Sequence, residues 1–236
     1  MKIQQLTINT RHFAEMKQFY AGKLGLPVAE EQSDNVTIQA GGSQLILQKA
    51  AVPGEKSMYH IAFTIPTNQL ESAKKWAAQR GITLFRDQDG DQFHFGNWNA
   101  DALYFYDPDE NLIEFIAHHS FDNAENEDFT SSQLLRISEI GLPVDEVAAA
   151  VEQIQTTLGM SMWSGDGRQF AAMGDAEGLL IVVDRERPWF PDGRAPIVSG
   201  TRVVIQAQGS EQLLLQADQY DIQSRDEESA SAGPRS

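Results

Sequence analysis

The run Ala102-Leu103-Tyr104-Phe105-Tyr106-Asp107-Pro108-Asp109-Glu110-Asn111-Leu112-Ile113-Glu114-Phe115-Ile116 contains two apolar segments separated by five turn-forming residues. Aromatic and β-branched side chains favour extended backbone on both sides. Asp-Pro-Asp-Glu-Asn favours a tight reversal between them. The reading is strand, turn, strand. Glu114 sits inside the second strand, flanked by Ile113 and Phe115, and a carboxylate buried there needs a partner.

This hairpin closes one copy of a plan that the chain uses three times. Each copy opens with an alternating strand, continues into an amphipathic helix, reaches a Gly turn and then yields further strands. The first copy runs from Gln5-Leu6-Thr7-Ile8-Asn9 through a helix carrying Met16, Phe19 and Tyr20 to Leu24-Gly25-Leu26, with strands at 36–38 and 45–48. The second runs from His60-Ile61-Ala62-Phe63 through a helix carrying Leu70, Ala73 and Trp76 to Gly81 and ends in the 102–116 hairpin. The third runs from Glu139-Ile140-Gly141-Leu142 through Val147, Val151 and Ile154 to Gly159 and ends at 179–183. Gln5 to Gly25 and Glu139 to Gly159 both span 20 residues, and His60 to Gly81 spans 21, so the copies share a register. A fourth, shortened copy opens with Arg202-Val203-Val204-Ile205, and Leu213-Leu214-Leu215 reads as a remnant of its helix. Strand alternation puts Leu6/Ile8, Ile61/Phe63 and Ile140/Leu142 under the helices. Gln5/Thr7, His60/Ala62 and Glu139/Gly141 then face the opposite, concave side.

The predicted class is α+β: tandem βαβββ modules forming a curved mixed sheet. A complete domain is expected over 1–119, an acidic linker over 120–132, an abbreviated second domain over 133–222 and a disordered tail over 223–236. Of 236 residues, 41% are hydrophobic and 22% charged, a globular balance. Eighteen Lys and Arg against 34 Asp and Glu leave a net charge of −16, which disfavours nucleic acid and anionic membranes. Much of that acidity lies in the linker and tail and reads as solvated chain. There is no cysteine, so disulfides, thiolate metal sites and Cys nucleophiles are excluded. No targeting segment and no apolar run of about 20 residues is present; a cytoplasmic protein is expected. Nucleotide-binding glycine loops, Gly-x-Ser-x-Gly elbows and His-Glu-x-x-His helices are absent.

The repeat plan and the Asp107-Pro108-Asp109-Glu110-Asn111-Leu112-Ile113-Glu114 run resemble the vicinal oxygen chelate superfamily, which includes glyoxalase I, extradiol ring-cleaving dioxygenases and bleomycin resistance proteins. The resemblance implies paired modules closing into a cup around a metal or ligand. Carried over by register, it implies metal ligands at Gln5, His60 and Glu114. An imidazole, a carboxylate and an amide oxygen suit Fe2+, Mn2+, Zn2+ or Ni2+, with open positions for a small-molecule substrate bearing two adjacent oxygens.

Tyr104, ten residues before Glu114, matches the catalytic tyrosine of the extradiol enzymes. The acid–base histidine of that group falls nearest His94, one residue out of register. A glyoxalase-type site needs a further carboxylate where the first module has Ile46. The third module carries Glu139 in its first ligand place but Ile181 in its last, so the C-terminal half is expected to be structural or lid-like. Trp189-Phe190-Pro191 is an aromatic loop able to cover a cup. His118-His119 are adjacent on a strand and point opposite ways. The expected activity is extradiol-like dioxygenation of a catechol-type compound. The alternatives are a lactoylglutathione lyase-like lyase or isomerase, and a metal-free resistance-type binding protein. Cups in this superfamily close within one chain or between two, so a homodimer is a further expectation.

Overall fold

A computed structural model describes residues 1–52, 54, 56–207 and 209–226. The first module comprises β1 (Lys2–Thr10), α1 (Phe13–Lys17), which widens into a π-type turn over Gln18–Lys23, then β2 (Val28–Glu31), β3 (Asn35–Ala40) and β4 (Ser43–Lys49). The second comprises β5 (His60–Thr64), α2 (Leu70–Gln79), β6 (Phe93–Phe95), β7 (Ala100–Tyr106) and β8 (Leu112–His118). The third comprises β9 (Arg136–Val144), α3 (Val147–Leu158), β10 (Met162–Gly165), β11 (Phe170–Asp175) and β12 (Gly178–Asp184). The fourth has strands alone: β13 (Thr201–Gln206), β14 (Gln212–Leu215) and β15 (Tyr220–Arg225).

Helix α3 shows why the plan folds as it does. Val147, Ala150, Ile154 and Leu158 recur every three or four residues and are buried on one stripe. Gly159 ends the helix at φ +66°, the left-handed conformation that glycine adopts without strain. Leu213-Leu214-Leu215 is not a helix remnant. Leu213 and Leu215 are buried while Leu214 is exposed, a period of two, and the segment pairs with β15. Strand β15 reaches Arg225, into the segment expected as tail; residues 227–236 lie outside the described residues.

The modules pair across the chain. One sheet has the order β14-β15-β13-β1-β4-β3-β2 and joins module one to module four. The other has the order β10-β11-β12-β9-β5-β8-β7-β6 and joins module two to module three. The seams are antiparallel, β1 against β13 and β5 against β9. A single apolar core packs the helices and the inner faces of both sheets; Leu6, Ile61, Phe63, Ile140 and Leu142 are all fully buried in it. A smaller apolar cluster lines the opposite face of the eight-stranded sheet.

Two connections set the site. Segment 120–132 is mostly exposed, with Asp122, Glu127 and Asp128 facing solvent, yet it is anchored at several points: Thr67 and Asn68 hydrogen-bond Asn123 and Glu125, Gln69 donates to the Glu127 carbonyl at 2.6 Å, and Phe129 packs on Trp76 at 5.3 Å. This short return lays β9 on the free edge of β5. The Asp107–Asn111 turn forms the second. Asp107 accepts from the Asp109 and Asn111 amides, the Asn111 side chain and the Tyr20 hydroxyl. Asn111 Oδ1 in turn accepts from the Tyr59 amide at 2.9 Å, which fixes the residue before His60. Among the described residues no helix is long and apolar enough to cross a membrane.

Candidate metal centre

Strands β5, β8 and β9 are neighbours, and each contributes one polar side chain to the concave face. His60 opens β5, Glu114 lies in the middle of β8, and Glu139 lies on β9 opposite Ala62. All three are buried. Among the described residues they form the one group of three metal-capable side chains whose ligand atoms lie within 4.8 Å of one another. His60 Nε2 is 3.4 Å from Glu114 Oε2 and 3.6 Å from Glu139 Oε2. Its Nδ1 lies 3.3 Å from the Leu112 carbonyl. A proton held there leaves the Nε2 lone pair facing the carboxylates, the tautomer a metal ligand needs.

The electrostatics are those of a site short of positive charge. Burial pushes the Glu114 carboxyl well above its ordinary range, and the neighbouring Glu139 charge pushes it further; the hydrogen bond with Tyr104 pulls the other way. Tyr104 is Glu114's cross-strand partner on β7. Its hydroxyl is pushed up by burial and by both glutamates. Among the described residues neither carboxylate forms an ion pair with a Lys or Arg, and Glu139 Oε1 is buried with no hydrogen-bond partner. One imidazole nitrogen and two carboxylates, one of them orphaned, fit a divalent cation of the Fe, Mn, Zn or Ni type.

A cavity of about 330 Å³ opens above these residues. Trp189 roofs the inner end, its ring 5.3 Å from that of His60. Gly141 makes this possible: a Cβ there would stand 2.5 Å from the Trp189 ring and 3.1 Å from His60 Cβ. Phe95, Trp98, Phe170 and Phe190 form the walls, with the Trp98 ring tilted against that of Trp163 at 4.8 Å across the module seam. A larger groove of about 870 Å³ lies between the N-terminus and Asp175 on the far side and contains none of the three residues.

Residues 2–115 match the family model of the Glyoxalase/Bleomycin resistance protein/Dioxygenase superfamily. They belong to that superfamily. Glyoxalase 1 of Caenorhabditis elegans is 23% identical over 137 residues, which cover 53% of this chain and 48% of that protein, so the match spans about half the relative's length. Metallothiol transferase FosB of Staphylococcus haemolyticus is 26% identical over 116 residues, 48% of this chain and 80% of its own. In fold, the chain is similar over 95% of its length to a Bacillus subtilis protein whose name suggests a dioxygenase (TM-score 0.63, 14% identity, 85% of that chain). Glyoxalase I from Zea mays is also similar over 95% (TM-score 0.57, 11% identity, 92% of that chain). These neighbours establish a glyoxalase-type fold with tandem modules across both halves.

Within the superfamily fold, two positions expected at the site are elsewhere. Gln5 lies in the other sheet, where its amide donates to Gln44 Oε1 at 2.8 Å. It does not meet His60 and Glu114, because β9 rather than β1 flanks β5. Glu139 holds the place instead, in the module-opening register shared with His60. The C-terminal half is therefore more than a lid: it supplies a carboxylate and the Trp189 roof. His94 is exposed and points to the outer face of β6, with Nδ1 2.8 Å from Asp101 Oδ1, while Phe93 and Phe95 face the cup. The one-residue offset reverses the face. His118 is buried on the cup side against Trp163, and His119 is held outside by Asp101.

The third module's equivalent of Glu114 is Ile181, since Gly141 pairs with Ile181 as Ala62 pairs with Glu114, whereas Ile46 belongs to the other sheet. The seven-stranded sheet has its own set of equivalent places. Thr7 pairs with Ile46 and Arg202, and Val204 pairs with Gln223. Gln5, Ile46, Arg202 and Gln223 then correspond to His60, Glu114, Glu139 and Ile181. Arg202 is tied to Asp221 at 2.8 Å. A guanidinium stands where the other cup has a carboxylate, so this second cup is unsuited to a cation.

Proposed function

We propose that the chain is a divalent-metal-dependent enzyme acting on a small molecule with two adjacent oxygens, and that its reaction is ring-cleaving dioxygenation of a catechol-type substrate. The observation that carries this is the convergence of His60, Glu114 and Glu139 beside a Glu139 oxygen with no partner. A divalent ion held by these residues would supply Lewis-acid polarisation of the two substrate oxygens and a site for oxygen chemistry.

The chain's own residues do the rest. His60 is held in one tautomer by the Leu112 carbonyl. Tyr104 presents a hydroxyl beside Glu114, where a substrate oxygen would sit. Trp189 covers the inner end of the cavity, and the aromatic walls suit a flat ring. Ile181 leaves the fourth place without a carboxylate. That favours ring cleavage, which needs three protein ligands, over glyoxalase-type proton transfer, which needs a fourth. Glu139 stands where an extradiol site has its second histidine, so the ligand set is harder and richer in oxygen than in those enzymes.

Metal analysis after purification without chelator tests the reading, followed by oxygen uptake with catechols on protein loaded with Fe2+ or Mn2+. One divalent ion per chain, lost in Glu114→Ala with the fold retained, is expected. Tyr104→Phe should keep the metal and lose turnover by about 10²-fold or more. Metal-free protein that resists loading would overturn the reading and leave a metal-free binding protein.

A further inference from the structure

We propose that the substrate carries an anionic group, and that Arg187 at the cup mouth binds it; this deepens the reading of the cup given above. Arg187 lines the same cavity as His60, Glu114 and Glu139 and is its one basic residue. It is half-buried, with its guanidinium 5.1 Å from the centre of the Phe170 ring. Among the described residues its side chain has no hydrogen bond and no ion pair, although the chain carries 34 acidic residues. Its neighbour Arg185, in contrast, is paired with Asp145 at 2.8 Å.

A guanidinium held on an aromatic face keeps its edge of N–H donors free, the geometry that grips a carboxylate or phosphonate with two parallel bonds. The opposite end of the cavity carries the two carboxylates and repels an anion unless a cation lies between. The charge pattern therefore fixes an orientation: adjacent oxygens towards His60, an apolar ring between Phe95 and Phe170, and the anionic group outward at Arg187. A substrate of this form is an aryl or unsaturated organic acid whose acid group is separate from its chelating pair. The cavity, near the low end for small-molecule sites, suits one ring with a short acidic arm.

The test uses probes that lack the adjacent oxygen pair, and the chelator-treated protein separates binding at Arg187 from carboxylate binding to a metal. Benzoate, phenylacetate and 3-phenylpropanoate are titrated calorimetrically against the full chain, as purified and after chelator treatment, each alongside its neutral amide. At least one acid is expected to bind about tenfold more tightly than its amide, equivalent to about 1.4 kcal/mol, and added salt should erode that preference. Arg187→Gln should abolish the preference and leave amide affinity and melting temperature unchanged. Arg187→Lys should keep part of it. Equal affinity for acid and amide, no binding of any acid at millimolar concentration, or a preference that survives in Arg187→Gln would overturn the proposal. Acid preference in a protein that takes up no divalent ion would instead defeat the metal-dependent reading and leave this one standing.

Discussion

At the scale of single residues, the centre combines groups that destabilise one another when no cation is bound. Glu114 and Glu139 are buried together, with one oxygen unpartnered. Replacing one charge with a neutral amide relieves that repulsion. Glu139→Gln is therefore expected to bind metal at least tenfold more weakly and to raise the melting temperature of the metal-free protein by a few degrees, about 1 kcal/mol. Calorimetry with and without Zn2+ checks both. Gly141→Ala acts through packing. Its Cβ meets the Trp189 ring at 2.5 Å, so the roof must lift or the strand must shift, at about 1–3 kcal/mol. The emission lost on adding Trp189→Phe, the difference that isolates Trp189 among the four tryptophans, should lie nearer that of solvent-exposed indole in the variant than in the wild type. His60, Glu114 and Tyr104 could be read from the sequence through the family resemblance, which marks the start of a module and its closing hairpin as cup-facing; alternation within each strand agrees with it. Glu139 had the same register as His60 and was equally visible. What could not be read was which strand lies beside β5, since that depends on a non-local pairing and not on any property of Glu139. His94 was misplaced for a smaller reason, a single residue of offset in a short edge strand.

At the scale of elements, the turns carry more of the site than their polarity suggests. The β10–β11 turn is held by Asp166, whose carboxylate accepts from the amides of Arg168, Gln169 and Phe170. Those bonds bring its pKa from 3.8 to about 2. A carboxyl depressed on folding stabilises the native state above its ordinary pKa, and the contribution is lost as pH falls through the depressed value. Asp166→Asn should therefore melt below the wild type at pH 7, and the gap should close between about pH 4 and pH 2. Melting temperatures measured across that range decide it. Phe170 begins β11 and forms a cup wall, so the same variant should also weaken ligand binding. Helices α2 and α3 and the 102–116 hairpin follow from periodicity because they are long and locally determined. Leu213–Leu215 was too short for three apolar residues to distinguish helix from strand; pairing with β15 made the difference.

At the scale of the whole molecule, neither half contains a complete centre. Residues 1–119 hold His60 and Glu114 but not β9, and they leave one edge of β1 and one of β5 without a partner. Exposed edges of that length pair with other chains. A fragment of residues 1–119 is expected to associate or precipitate on size exclusion, and to bind metal at least tenfold more weakly than the full chain. Mixing it with residues 120–236 should restore both solubility and metal binding. The four modules form two bowls, and in one of them Arg202 is locked to Asp221 where an acid would stand. Such a molecule keeps the frame of a symmetric pair but only one working half. Its metal titrations are expected to saturate at a single equivalent with a hyperbolic curve, and substitutions confined to the Arg202 bowl are expected to leave that stoichiometry unchanged.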